Sequence, residues 1–284
     1  MKTVKITGVP EHFNLPWHFA IDEGAFRQRG IDLQWKDTPE GTGKMCKMLR
    51  DGETDIAIIL TEGIVRDIAS GSPSRIVQTY VGTPLIWGIH VAAGSPFSTA
   101  ENLQGKKAAI SRYGSGSHLM AFVHARKMGW DTGTLDFEIV HTIDGAVQAL
   151  TDGKADYFMW ERFMTKPLVD QGVFRRVGDC PTPWPCFVIA ARDEILEKDA
   201  GIIKHILEVI NTYTADFKQI PSIDRTLANR FGQHPGDIRE WLSLTNWSQS
   251  APDPEMLENV QEELLNLGLI EEKKPYDKLV KLVN

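Results

Sequence analysis

Residues 49–60 read Leu-Arg-Asp-Gly-Glu-Thr-Asp-Ile-Ala-Ile-Ile-Leu, and residues 150–161 read Leu-Thr-Asp-Gly-Lys-Ala-Asp-Tyr-Phe-Met-Trp-Glu. Each is a helix end, a glycine stop, an aspartate and then an apolar run. Glycine supplies the left-handed residue that closes a helix. An unbroken apolar run suits a strand covered on both faces. The copies lie roughly a hundred residues apart, too far for a solenoid repeat. They predict two similar α/β lobes in one chain.

Outward from the first copy, residues 2–8 read as a strand and 9–13 as a turn. Asn14 is a good N-cap, with Pro16 in the first helical turn. That helix is expected to run to about Arg29 and stop at Gly30. Residues 31–35 alternate as a strand, 42–50 form a second helix, and 55–60 form the apolar strand. The second copy repeats the order: strand 107–110, turn 112–118, helix 119–128, strand 137–141, helix 143–151 and strand 156–160. Each copy is therefore βαβαβ, with right-handed crossovers expected. Strands at 75–80 and 87–92 lie between the copies. A proline-rich connector, 181–185, precedes a strand at 186–191, and helices from Lys198 onward are expected to cover the first lobe. The predicted lobes are 1–90 with 188–284, and 91–187. Two crossings would make a hinge, letting the lobes close on a ligand.

Bulk properties narrow the function. The 284 residues are 42% apolar and 24% charged, with net charge −7. That is a soluble globular composition, and the acidic balance argues against a nucleic-acid partner. Cys46, Cys180 and Cys186 include no CxxC pair; idle thiols are favoured over a Cys180–Cys186 bridge. No run of 18 apolar residues exists, so no membrane span is expected. The opening Met-Lys-Thr-Val-Lys-Ile-Thr reads as a strand without a leader, so a cytoplasmic location is expected. Were a leader removed, the protein would be periplasmic or lipid-anchored, and only then would an ABC permease be a partner.

Gly24-Ala25-Phe26 with Gly30-Ile31, the Gly41-Thr42-Gly43 turn, the Asp51-Gly52…Asp55 phrase and the Gly114-Ser115-Gly116-Ser117 turn carry a resemblance that covers nearly the whole chain. Their order and spacing resemble the type 2 periplasmic-binding-protein family. More narrowly they resemble the group holding sulfonate-, taurine- and thiamine-precursor-binding proteins and the fungal pyrimidine synthases of thiamine biosynthesis. The resemblance implies a two-lobed α/β fold, each lobe a mostly parallel sheet flanked by helices. It implies a binding protein rather than an enzyme. The alternative is an enzyme on the same fold, a thiamine-pyrimidine synthase or a menaquinone-pathway lyase, although the cysteine-rich iron motif of the synthases has no counterpart here.

In open parallel sheets, ligands sit beyond the carboxyl ends of strands. The turn 113–118 is the leading candidate there. Gly114 and Gly116 let the backbone approach a ligand, and Ser115 and Ser117 offer hydroxyls. Tyr113 and His118 flank them, with Ser117 expected as the N-cap. A helix N-terminus attracts an anion, so a carboxylate, sulfonate or phosphate is expected. In the matching turn 10–17, Phe13 and Trp17 could form an apolar wall and His12 and Asn14 could hydrogen-bond; the alternative is that Trp17 is core and His12 is solvated. Thr42 is a ligand hydroxyl or a simple cap, in a turn that does not spell a phosphate loop. Thr61, Trp160 and Glu161 follow the twin apolar strands, where Glu161 could accept from an amine or a ring N–H on the ligand, or else pair with Arg162 or a neighbour. Trp184 could stack on a ligand or pack the crossing. No catalytic pair, metal site or cofactor is expected from these spacings; Lys44, Lys47 and Lys166 leave a pyridoxal phosphate lysine open within the enzyme alternative.

Overall fold

The computed structural model describes residues 1–283. The first copy comprises β1 (Lys2–Gly8), a 3-10 turn at His12–Asn14, α1 (Leu15–Asp22), α2 (Ala25–Gln28), β2 (Ile31–Asp37), α3 (Thr42–Asp51) and β3 (Ile56–Leu60). It is followed by α4 (Thr61–Ala69) and β4 (Ser74–Ala92). The second copy comprises β5 (Ala108–Ile110), α5 (Gly116–Lys127), β6 (Phe137–Ile139), α6 (Ile143–Thr151) and β7 (Tyr157–Glu161), followed by α7 (Lys166–Asp170). After β8 (Phe174–Arg192) come α8 (Asp193–Asp216), α9 (Ile223–Phe231), α10 (Pro235–Leu244), α11 (Pro254–Asn266) and α12 (Tyr276–Leu279). Both copies are βαβαβ, as their sequences predict.

The chain forms two compact units: Met1–Thr83 with Trp184–Asn284, and Pro84–Pro183. Strand order is β2-β1-β3-β8-β4-β7-β5-β6. In the first unit β1 pairs in parallel with β2 and β3, and β3 pairs antiparallel with β8. In the second, β5 pairs in parallel with β6 and β7, and β4 pairs antiparallel with β7. The chain passes between units at Thr83/Pro84 and Pro183/Trp184, earlier in both cases than the sequence boundaries at 90/91 and 187/188. The strands β4 and β8 run unbroken through these points.

The repeated phrase has one structural meaning in both copies. Gly52 and Gly153 take φ of 72° and 69°, the left-handed region that ends a helix. After them, the amides of Glu53 and Lys154 bond back to Met48 and Ala149 carbonyls, both at 2.9 Å. Asp55 Oδ2 then accepts from the Lys5 amide at 2.9 Å, and Asp156 Oδ2 accepts from the Lys107 amide at 2.8 Å. The aspartate thus pins each apolar strand to the strand that opens its copy.

Three local readings are corrected. The first helix divides at Gly24, which takes φ of 72°, giving α1 and α2 instead of one helix to Arg29. The strands expected at 75–80 and 87–92 are a single 19-residue strand. The proline-rich stretch 181–185 is no connector but part of β8. Pro181, Pro183 and Pro185 share one parity along it, so the missing donors all fall on one edge.

Candidate functional site

In the second unit, β5 runs into the turn 111–115 and then α5. Gly114 takes φ of 73°, a conformation that favours glycine. Ser115 is the N-cap: its Oγ accepts from the His118 amide at 3.3 Å. This corrects the expectation that Ser117 caps the helix. Ser117 lies one turn-step inside it, and its Oγ accepts from the Ser111 amide at 2.9 Å. The same Oγ lies 3.1 Å from Ser111 Oγ and 3.0 Å from Ser115 Oγ, so three buried hydroxyls form a chain. The Gly114 amide donates to His118 Nδ1 at 3.2 Å. Aromatic edges hold the His118 ring, from Tyr113, Phe122 and Phe137 at 5.3, 5.1 and 4.8 Å between centroids. Tyr113 itself is 63% exposed. The amides of Gly116 and Ser117 open the first turn, where no intrahelical carbonyl can reach them.

Trp160 and Glu161 belong to the same unit. Trp87 on β4 faces Glu161 in the β4–β7 ladder, and its ring meets Trp160 edge-on at 6.2 Å. A Cβ on Gly116 would lie 2.8 Å from the Trp87 ring, so the indole rests directly on the first residue of α5. Trp87 therefore joins the predicted strand end to the serine turn. Glu161 is buried, and its Oε2 accepts from the Met164 amide at 2.7 Å. That bond caps the segment leading into α7.

The first unit treats the equivalent positions differently. Trp17 is 0% exposed, ringed by Phe26, Trp35 and Tyr80. Phe13 packs against Phe187 and Trp241. The Phe13 carbonyl accepts from Tyr80 Oη at 2.7 Å and from Trp247 Nε1 at 3.1 Å. Asn14 is buried, and its Nδ2 donates to the Val9 carbonyl at 2.7 Å; it precedes α1 without a side-chain cap bond. The aromatic turn is thus core in this structure, because α9, α10 and the chain that follows them supply Phe231, Trp241 and Trp247 around it. Thr42 starts α3 without capping it, and its methyl lies where a Cβ on Gly63 would stand. Thr61 starts α4 and donates to the Pro185 carbonyl at 2.6 Å.

Trp184 is buried, and its Nε1 donates to Glu62 Oε2 at 2.9 Å. Glu62 is the residue that the sequence reading passed over. It is 4% exposed in the first turn of α4, and burial pushes its carboxyl up to about 7, against the pull of the Trp184 N–H. The signal was present: an acidic residue directly after a buried apolar strand is costly to place.

Cys46, Cys180 and Cys186 are all buried, and none of them forms a disulfide. Burial pushes Cys46 up to about 12 and Cys180 up to about 11, so neither is a thiolate nucleophile near neutrality. Among the described residues no helix is long and apolar enough to cross a membrane.

The family described as Ca3427-like PBP matches residues 87–180. No curated protein matches the chain. Solved structures similar over almost its whole length include the following three. The CA3427 gene product of Candida albicans is 24% identical, with TM-score 0.89, covering 100% of this chain and 97% of its own. The alkanesulfonate-binding protein SsuA of Xanthomonas axonopodis, solved bound to MOPS, is 15% identical, with TM-score 0.83 and 99% of each chain covered. The periplasmic nitrate-binding protein NrtA of Synechocystis is 14% identical, with TM-score 0.75, covering 99% of this chain and 86% of its own. The chain therefore has the type 2 periplasmic-binding-protein fold, in the form seen in the sulfonate- and nitrate-binding proteins.

Proposed function

We propose that this chain is a binding protein for a small organic anion, seated at the N-terminus of α5 in the second unit. One observation carries the reading: the turn 113–118 presents donors and no negative charge. The amides of Gly116 and Ser117 head the helix, whose dipole favours an anion. Ser115 holds the backbone in place, and exposed Tyr113 offers an aromatic face to the ligand body. The similarity to sulfonate- and nitrate-binding proteins supports a ligand-binding role.

Titration of ethanesulfonate into 15N-labelled protein tests it. Saturable shifts of the Gly116 and Ser117 amide resonances are expected; unmoved amides reject the seat. Closure of the two units on the ligand belongs to the same proposal. It predicts a smaller radius of gyration by X-ray scattering at saturating ligand, and unchanged dimensions would remove that element.

A further inference from the structure

Trp87 was not among the residues singled out by sequence. It is only 5% exposed, and its indole Nε1 is buried without a hydrogen-bond partner. A buried donor left unmade is costly to the fold. The ring edge that touches Gly116 consists of Cζ2 and Cη2, the edge adjoining Nε1. The orphaned N–H is therefore on the ring edge nearest the first turn of α5, whose Gly116 and Ser117 amides have no intrahelical acceptor.

The hydroxyl chain adds a direction. Three hydroxyl hydrogens serve only two O···O contacts, Ser111–Ser117 and Ser117–Ser115. One hydrogen is left over, at one end of the chain. When Ser111 donates to Ser117 and Ser117 to Ser115, both lone pairs of Ser117 and of Ser115 are used. Ser117 Oγ accepts from the Ser111 amide and hydroxyl, and Ser115 Oγ accepts from the His118 amide and the Ser117 hydroxyl. Ser115 Oγ can then only donate outward. The reverse order frees a lone pair on Ser115 for a ligand O–H. It also strands the hydroxyl hydrogen of Ser111, which is nine-tenths buried and has Ser117 Oγ as its only side-chain partner among the described residues.

We propose that Trp87 Nε1 is a ligand donor, and that with Ser115 Oγ it makes the α5 seat selective for an oxyanion that only accepts hydrogen bonds. This rests on the anion-seat reading and deepens it. A fully ionised group of the sulfonate type satisfies Trp87, Ser115 and the two amides together. A group that turns a retained proton toward Ser115, as a phosphonate monoanion can, reverses the hydroxyl chain and leaves Ser111 unsatisfied. Chained hydrogen bonds polarise one another, so the outward Ser115 donor is strengthened by the two behind it.

The test follows the Trp87 indole N–H resonance, assigned with W87F, beside the Gly116 and Ser117 amides. Ethanesulfonate is expected to shift all three signals in the unsubstituted protein. W87F is expected to bind it about tenfold more weakly, the loss of one hydrogen bond to a charged group. Ethylphosphonate is expected to bind about tenfold more weakly than ethanesulfonate while it holds a proton, and to gain affinity as pH rises through its second ionisation. If the amides shift while the indole stays still and W87F binds normally, the role of Trp87 is wrong and the seat stands. If the protonated phosphonate binds as tightly as the sulfonate, the acceptor-only selectivity is wrong. If no signal moves, the seat itself fails, and this inference with it.

Discussion

The turns after β1 and after β5 occupy equivalent places in two copies of one βαβαβ frame, yet they are used in opposite ways. The first is aromatic and closed. Phe13 and Trp17 lie inside a ring cluster, and the Phe13 carbonyl is held by Tyr80 and Trp247. The second is small, polar and open: Tyr113 is exposed, and donors gather at the head of α5. The difference is that the C-terminal helices of the first unit bring their own aromatics to its turn. A repeat therefore fixes where a site can form, and what is added around each copy decides whether one does.

Cutting Trp17 to Ala should have the largest effect. Removing a fully buried indole is expected to cost about 3–5 kcal/mol in urea denaturation, while leaving the second unit's anion affinity unchanged in whatever fraction stays folded. Comparable affinity loss per folded molecule would mean that the first turn also serves the ligand.

Glu62 is expected to come next. Its folded carboxyl titrates near 7, well above its unfolded value of 4.5. The folded state thus holds more protons in between, so its contribution is present below about 4.5 and is lost as pH rises to about 7. Glu62→Gln keeps an acceptor for Trp184 and should remove that slope, gaining about 3 kcal/mol near neutrality. Parallel stability–pH curves for the two proteins would show that Glu62 is not burying its charge.

Ser115→Ala is expected to act on both stability and binding, but modestly. Loss of an N-cap costs about 1 kcal/mol, and loss of the outward hydroxyl should weaken ethanesulfonate binding by about tenfold. Intact affinity would place the anion elsewhere. The smallest stability effect belongs to Tyr113→Ala. An exposed ring should change stability by less than about 0.5 kcal/mol, yet weaken binding of an anion with an apolar body. A stability loss as large as that of Trp17→Ala would erase the contrast between the two turns.

Much of this was legible in the chain. The phrases at 49–60 and 150–161 located two helix stops and two buried strands. The glycine and aspartate in each play the same backbone role, which short-range chemistry dictates. The Gly-Ser-Gly-Ser turn announced a helix start for the same reason. Other features were not legible. Residues 181–185 looked like a connector because three prolines break most strands, and only the sheet shows that their shared parity makes them harmless. Ser115 and Ser117 are equivalent cap candidates by type; the backbone conformation chose Ser115.

By itself, then, the sequence determined two α/β copies, their element order and the glycine–serine turn that opens a helix in the second, because helix stops, caps and apolar runs are local. Tertiary structure alone decided which turn stays open, that Trp184 bonds to buried Glu62, and that an unpartnered Trp87 N–H lies beside α5. Those facts depend on residues far apart in the chain meeting in space, and no local pattern encodes such a meeting.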